Sequence, residues 1–438
     1  MAHGAPETGG GDAMKARHGH LPVTVLLLLA WRNLWRHRRR TLITLSSIAF
    51  GFGLAVLFIG LNDGAHNSMI RNAIKLGEGA ITVQPRGYQE APANHKYLAR
   101  GLSLQTQVEQ LHIAGAVDPR ISLQVLASTA HNAVGAGLEG FITDSDQRVE
   151  MLRPFLIEGQ WLQPGDDRGI LIGDSMARKL KAKPGSKVVL MAGKRGGDSQ
   201  VHLGRVRGIF DSHVDDLDAF LILGDIGLTR RFLAGEGADT RLQPITRLAV
   251  YLDDQSQLAY WKTLLRQAVD SEQVQVLDWR EMMPQLVQFI AVDDAGNYVF
   301  LTLILVLVVF GIINTVLMSV LERTREFGLL RALGLGRYQL LLLVFCESLV
   351  LSLLAVLLGW VVGGGTHLWF ATNGLDFSAA IGDANAMAGT FMDSVVYTEL
   401  STQRVLQLTG IVFGATLATG IYPALKAARV TPVAALRT

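Results

Sequence analysis

Cysteine is almost absent from this sequence, since Cys346 is the only one in 438 residues. A disulfide within the chain is therefore excluded, and any folded domain must be stabilised by its core. Charged residues are also scarce. They make up 18% of the chain, against roughly a quarter in ordinary soluble domains. Together with a mean hydropathy of +0.29, this composition indicates a protein that is partly membrane-embedded and partly globular.

Several chemical signatures are missing as well. The pattern GxxxxGK[ST] occurs nowhere in the sequence, so the usual phosphate-binding loop is excluded. If ATP drives this protein, we expect another chain to bind ATP and Mg. No catalytic set, metal site or nucleic-acid-binding pattern emerges, and the formal net charge is only +2.

The sequence does contain long apolar runs. Residues 298–321 contain no charged side chain, and residues 338–362 contain one. Residues 41–61 and 404–425 are similar in length and character. Each run reaches the roughly 20 residues that cross a bilayer as a helix. The sequence therefore predicts four transmembrane helices.

Basic residues predict the orientation of these helices. Arginines cluster at 32–40, the short segment 322–337 is rich in arginine, and the tail 426–438 contains basic residues and no acidic ones. Residues 363–403 contain acidic residues but no Lys, and no Arg. By the positive-inside rule, both termini and the segment 322–337 are cytoplasmic. Residues 62–297 and 363–403 are then on the outer side of the membrane.

The remaining regions follow from local patterns. Residues 1–20 read as a disordered tail, and residues 21–40 as an amphipathic interfacial helix with Trp31 and Trp35 near the headgroups. Short strand-like and helix-like patterns alternate over residues 62–297 and predict an α+β domain. A helical stalk at 281–297 is predicted to lead into the second span. The predicted strands of the domain are at 80–84, 121–130, 138–143, 169–172, 187–191, 201–210, 220–223 and 245–252, and its predicted helices at 174–181, 226–233 and 256–269.

The charged segment, residues 322–337, lies between the second and third spans. Phe327, Leu330 and Leu333 recur at helical spacing. This pattern predicts a short amphipathic helix that docks a cytoplasmic partner rather than a plain loop. The predicted contact residues are Glu322, Arg323, Arg325, Glu326, Phe327, Gly328, Arg331 and Gly334.

Three polar features have weaker interpretations. Gly173-Asp174-Ser175 resembles a nucleophile motif, but helix capping is favoured. The run Asp211, His213, Asp215, Asp216 and Asp218 lacks the glycine turn and final Glu of a calcium loop, so a solvated loop is favoured. Glu347 is a carboxylate inside a predicted span and needs a partner. Asn314, Ser319 and Ser348 are available for a hydrogen bond, while a proton relay or substrate contact remains an alternative.

The motif ERTREFGLLRALG, with WRNLWRHRRRT, GAITVQPRGYQE, EGQWLQPGDDRGILIGDSMARKL, GRVRGIFDSHVDDLD and YPALKAARVTPVAALR, resembles the FtsX-like/MacB-like ABC transporter permease superfamily. Within it the chain is similar to lipoprotein-releasing (LolC/LolE-type) permeases. The resemblance implies a dimer with a second copy or a paralogue, a cytoplasmic ABC ATPase dimer docked on the charged segment, and the bacterial inner membrane as location. It also implies mechanotransmission through the first and second spans and the stalk.

Three functions remain open under this resemblance. The first is extraction or export of a lipoprotein or lipid-linked substrate, with a periplasmic carrier. The second is a MacB-like efflux component working with an adaptor and an outer-membrane channel. The third is an FtsX-like activator of a periplasmic hydrolase that transports nothing, a type for which a smaller external domain than 62–297 is typical.

Overall fold

The computed structural model describes residues 22–193, 199–212, 215–234, 243–270, 272–332, 335–377 and 395–428. Their helices are α1 Val23–Arg36, α2 Arg38–Leu76, α3 Gly101–Glu109, α4 Val149–Leu152, α5 Asp174–Leu180, α6 Asp215–Phe220, α7 Ile226–Ala234, α8 Leu258–Ala268, α9 Trp279–Met282, α10 Pro284–Glu322, α11 Thr324–Ala332, α12 Arg337–Asn373, α13 Thr402–Thr419 and α14 Ile421–Ala428.

The strands are β1 Ile81–Pro85, β2 Val117–Ser128, β3 Ala133–Phe141, β4 Leu156–Gly159, β5 Gly169–Gly173, β6 Lys187–Gly193, β7 Ser199–Phe210, β8 Leu221–Asp225, β9 Arg247–Val250, β10 Val274–Asp278, β11 Leu375–Asp376 and β12 Val395–Val396. The chain divides into two compact units. A helical unit comprises Met1–Asp63, Ala295–Gly374 and Tyr397–Thr438, and an α/β unit comprises Gly64–Asp294 and Leu375–Val396. The predicted tail 1–20 lies outside the described residues.

Four helices of the described chain are long and apolar enough to cross a membrane: Arg38–Leu76, Pro284–Val306, Arg337–Asn373 and Thr402–Lys426. The helix predicted at 21–40 is present as α1, while its interfacial position stays a prediction. It does not run directly into α2, because His37 leaves the helical conformation at φ −115° and ψ 61°. The helix α2 continues beyond the predicted span to Leu76.

Small residues allow α2 and α12 to pack closely in the helical unit. A Cβ added to Gly363 would lie 3.0 Å from the Cα of Gly53. Nearby, the rings of Phe52 and Trp360 meet edge to face, with centroids 5.4 Å apart. The helix-packing interpretation of the first span therefore accounts for Gly53.

The α/β unit contains a ten-stranded sheet in the order β10-β1-β9-β2-β3-β8-β5-β7-β4, with β6 pairing to β2 and β7. The long strand β2 joins its two halves, because its first residues pair with β9 and its last with β3 and β6. One core lies around β1, β9 and β10 with α3 and α8, and includes Met69 of α2 and Leu286 of α10. A second core lies among β2, β3 and β5 to β8 with α5 and α7.

The alternation of strands and helices in the sequence predicted this unit well. The predicted strands all have a counterpart among β1 to β3 and β5 to β9, and the predicted helices correspond to α5, α7 and α8. The elements α3, α4, α6, β4, β10, β11 and β12 were not predicted. The stalk prediction is also modified, because Met283 interrupts the helix and α10 begins at Pro284.

Candidate functional site

The charged segment forms its own short helix between two long ones. α10 ends at Glu322, Arg323 lies between the helices, and α11 begins at Thr324. The Thr324 hydroxyl donates to the carbonyl of Leu321 and holds the turn. The next helix, α12, begins after Gly336, whose N–H donates to Gln339 Oε1 at 3.1 Å. The segment therefore contains a defined helix, Thr324–Ala332, and is not an irregular loop throughout.

One face of α11 is buried within the helical unit. Phe327 is 0% exposed and packs in a cluster with Val320, Leu340, Val344 and Ala424. Gly328 and Arg323 are also buried. These three residues were among the predicted partner contacts. Because they are buried inside the chain, they anchor the segment and do not contribute to its exposed surface.

The other face of α11 is open. Leu329 is 55% exposed and Arg325 is exposed, while Glu326 and Arg331 are half-buried. Glu322, the last residue of α10, is exposed as well. Arg325 and Leu329 are one helical turn apart, so they lie on the same face. Gly334 lies outside the described residues. A partner would therefore meet a surface that combines a cation with an exposed leucine.

Glu347 of α12 has partners that the sequence did not indicate. Arg323 Nη1 donates to its two carboxylate oxygens at 3.0 and 3.4 Å, and Asn33 Nδ2 of α1 donates to Oε1 at 2.6 Å. The predicted candidates do not fill this role. Asn314 is exposed, the Ser348 hydroxyl donates to the Val344 carbonyl, and the side chain of Ser319 lies outside the described residues.

Arg323 connects this carboxylate to the charged segment. Its Nε donates to Glu326 Oε2 at 3.1 Å, and its guanidinium lies over the Phe327 ring at 5.3 Å. Burial lowers the pKa of Arg323, but the charges and hydrogen bonds of Glu347 and Glu326 outweigh burial and raise it. The arginine is thus a permanent cation held between two carboxylates. The sequence signal for this ion pair was an arginine before the third span, Arg323, and a glutamate within that span, Glu347. Nothing in the sequence indicated the contact with Asn33.

A second feature of the helical unit is an apolar groove between α2, α10 and α13. Its lining consists of Ile48, Gly51, Phe52, Ala55, Tyr298, Leu301, Thr302, Ile304, Leu305, Val309, Ile312, Leu408, Ile411, Val412, Ala415 and Thr416. At one end Arg404 Nη1 donates to the Tyr298 hydroxyl at 2.7 Å, and Arg404 Nε donates to Asp63 at 3.2 Å. The groove is therefore apolar along its length with a polar cluster at one end.

The α/β unit has a buried ion network around Arg120, which is 1% exposed. Its guanidinium donates to Asp146 at 3.1 Å and also bonds the Gly77 carbonyl just beyond α2. The charges of Arg148 and Arg120 lower the pKa of Asp146 in spite of its burial. Asp118 lies in the same network, and burial, with the charge of Asp146, raises its pKa to about 6.

Two weaker candidates in this unit turn out to be structural. Ser175 donates to Asp215 at 3.0 Å and accepts from Arg178 at 2.7 Å, so it links α5 to α6. The expected capping role is not seen, because the cap residue of α5 is Gly173 and no side chain caps the helix. Asp218 is buried and accepts from the Ser212 N–H and hydroxyl, which corrects the solvated-loop interpretation. His213 lies outside the described residues.

Among the described residues, no group of three or more His, Cys, Asp or Glu side chains could hold a metal ion. The candidate site consists of the charged segment with its ion network and the apolar groove.

Two family models match most of the chain. Residues 41–268 match the MacB-like periplasmic core domain, and residues 298–432 match the FtsX-like permease C-terminal model. The chain belongs to the MacB/LolCE/FtsX family of ABC transporter permeases. Homologous permeases are components of ABC transporters.

Individual relatives are distant. The lipoprotein-releasing system transmembrane protein LolE of Haemophilus influenzae is 22% identical over 93% of this chain and 98% of its own length. The macrolide export ATP-binding/permease protein MacB of Pasteurella multocida is 24% identical over 93% of this chain and 59% of its own length. The solved periplasmic region of MacB from Actinobacillus actinomycetemcomitans is 16% identical, with a TM-score of 0.34 over 50% of this chain and 97% of that one.

Proposed function

We propose that this permease extracts or exports a lipoprotein or lipid-linked substrate from the inner membrane, driven by a separate ABC ATPase that binds ATP and Mg. The observation that carries the proposal is the two-faced helix α11. Phe327 buries its inner face, next to the buried Arg323 that precedes the helix, and its outer face presents Arg325 and Leu329. A helix that is fixed on one side and open on the other is suited to receive a push from a docked partner.

The transmission step follows from the helix bounds. α10 is one helix from Pro284 to Glu322, and the charged segment follows directly after it. In this proposal the ATPase dimer moves α11, and α10 carries the motion by mechanotransmission. Both termini and α11 are cytoplasmic, and a second copy or a paralogue completes the dimer.

The apolar groove supports a lipid-linked substrate. Its lining between α2, α10 and α13 is almost entirely hydrocarbon. An acyl chain loses about 0.8 kcal/mol per methylene when it leaves an apolar environment for water. A permease that lifts such a chain must offer it apolar surface, and a carrier must then receive it. The groove supplies apolar surface along α2 and α10, the two spans through which mechanotransmission is proposed to pass.

Efflux is the second candidate, because the MacB-like model covers residues 41–268 and a MacB protein is among the relatives. In that case an adaptor replaces the lipoprotein carrier. The FtsX-like alternative shares the model at 298–432. It predicts a periplasmic hydrolase as partner and no transported molecule.

The experiment that separates these functions is mass spectrometry of the complex gently extracted from its native membrane. An ATPase together with acylated proteins supports the proposal, whereas an ATPase with only an adaptor moves the assignment to efflux. An ATPase with a cell-wall hydrolase indicates the activator. If no ATPase is associated, all three functions fail.

The docking face is tested separately by Arg325→Glu and Leu329→Asp in the full-length permease. Both changes are expected to weaken association of the ATPase, measured by co-purification. Arg39→Glu is the matched control, because Arg39 is also an exposed cation but lies at the start of α2. Equal loss of the ATPase in the control and in Arg325→Glu would contradict the docking assignment.

A further inference from the structure

Three side chains of one short stretch of sequence bind the three carboxylates around the charged segment. Asn33 contacts Glu347 at 2.6 Å, Arg36 contacts Glu326 at 2.7 Å, and Arg40 contacts Glu322 at 2.8 Å. The first two lie on α1 and the third in the first turn of α2. We propose that these contacts form an ionic latch, through which a displacement of the charged segment also moves the interfacial helix α1.

The latch acts on a helix whose packing against α12 consists of apolar contacts. Leu26 and Ala30 of α1 are buried against Leu343 and Cys346 of α12. Apolar contacts have no directional bond to break, so a helix seated in this way can shift along its neighbour while staying buried. The interruption at His37 separates α1 from α2. Thr41 Oγ1 of α2 donates to the Leu34 carbonyl of α1 at 2.6 Å, so α1 is expected to respond to the charged segment together with the first turn of α2, where Arg40 lies.

The ion pairs of α1 and α2 with the charged segment are more exposed, and therefore weaker, than the pair of Arg323 and Glu347. Arg36 and Glu326 have side chains 58% and 40% exposed, and Arg40 and Glu322 are 25% and 48% exposed. Exposed ion pairs shift an equilibrium by about fivefold at most. Arg323 and Glu347 are only 9% and 17% exposed, so their pair is the firmer anchor. The pairs Arg36–Glu326 and Arg40–Glu322 are therefore the contacts of the latch that break and re-form.

Arg36 and Arg40 are accordingly positioning residues, and this role rests on the proposed function, since an ATPase must move α11. It goes beyond that function because it adds α1 as a second output of the stroke. An amphipathic helix that moves at the lipid boundary changes how the permease meets the bilayer beside it. Val23, Leu28 and Trp31 of α1 are exposed apolar side chains that would make this contact.

The test uses the full permease with its co-purified ATPase in lipid nanodiscs, in a Cys346→Ala background. Spin labels at Leu28 of α1 and Leu357 of α12, both exposed, report their separation by pulsed electron paramagnetic resonance. Addition of ATP with vanadate is expected to change the distance in the parent protein. In the double variant Arg36→Glu/Arg40→Glu the ratio of molecules that change to molecules that do not is expected to fall by up to about fivefold for each of the two ion pairs lost.

The matched control is Arg38→Glu/Arg39→Glu, which reverses two neighbouring exposed charges that have no ion pair to any described residue. This control is expected to keep the full distance change. Adding Glu322→Arg to Arg40→Glu restores the charge pairing and is expected to recover part of the response. A fixed distance in the parent protein, or an unchanged response in Arg36→Glu/Arg40→Glu, overturns the latch.

The two proposals fail in different ways. An ATPase that binds and hydrolyses ATP while α1 remains still overturns only the latch. Failure of any ATPase to associate with the parent permease overturns the proposed function and the latch together.

Discussion

Arg323 Nη1 lies 3.0 and 3.4 Å from the two carboxylate oxygens of Glu347, and both side chains are largely buried. The pair links the residue between α10 and α11 to the first half of α12. Removing one partner of such a pair leaves the other charge buried without its main counterion. The resulting loss of folding free energy is larger than the net stabilisation that the intact pair provides.

Replacing Glu347 by Gln is therefore expected to destabilise the permease, by about 1–3 kcal/mol because Glu326 still faces Arg323. Thermal unfolding of the purified protein, followed by tryptophan fluorescence, measures the effect. The control is Asn314→Ala, since Asn314 is exposed, and its melting temperature should stay near that of the parent. If Glu347→Gln melts at the same temperature as the parent, the ion pair does not contribute to stability. If the variant also retains transport activity, a proton relay through Glu347 is excluded.

Phe327 and Leu329 should separate stability from partner binding. Phe327→Ala removes a ring that is 0% exposed, and loss of a buried aromatic side chain costs about 3–5 kcal/mol. Leu329→Ala, at 55% exposure, is expected to change the free energy of unfolding by about 0.5 kcal/mol or less. Chemical unfolding of both variants, together with co-purification of the ATPase, distinguishes them. Reduced ATPase binding with unchanged stability in Leu329→Ala supports the docking face, whereas a large loss of stability contradicts its exposure.

The pH dependence of stability should include a contribution from Asp118. Its pKa is about 6 in the folded protein, above the ordinary value of 3.8, because it is buried near Asp146. A raised pKa means that the folded state binds the proton more tightly, so this contribution is present below about pH 4 and is lost as the pH rises through about 6. Asp118→Asn removes the penalty of the buried charge.

Asp118→Asn is expected to be more stable than the parent at pH 7.5, by at most about 3 kcal/mol, and to match it near pH 4. Melting temperatures of the full-length protein across this range test the expectation. Asp146 is the contrasting residue, because its lowered pKa gives stability that is lost only as the pH falls below 3.8. A parent and variant that differ equally at both pH values would contradict the assigned pKa.

Two glycines of the same strand, β3, should respond oppositely to alanine. A Cβ at Gly140 would lie 2.6 Å from Thr229 Cγ2, and Thr229 is 0% exposed. A Cβ at Gly135 would meet no atom within 4 Å. Gly140→Ala is expected to destabilise the α/β unit by about 1–3 kcal/mol through overpacking, and Gly135→Ala to be neutral or slightly stabilising. Equal melting temperatures of the two variants would contradict the packing around β3.

The sequence by itself was sufficient for the features that depend on local pattern. Apolar runs of bilayer length predicted long helices at α2, α10, α12 and α13, because length and composition alone decide whether a helix is suited to span. Alternation and turn residues predicted most strands of the α/β unit, and the short helix α11 followed from the spacing of its apolar residues. The motif ERTREFGLLRALG, in combination with the other family-like stretches from WRNLWRHRRRT to YPALKAARVTPVAALR, was sufficient for the family.

Only the tertiary structure decided which residues meet. Helical spacing places Phe327 and Leu329 on one short helix, but burial of one and exposure of the other depends on the neighbouring helices α12 and α14. Glu347 needed a partner on physical grounds, yet Arg323 and Asn33 were chosen by packing across 24 and 314 positions of sequence. Such distant pairings leave no periodic trace in the sequence, because they are fixed by how helices pack and not by local propensity.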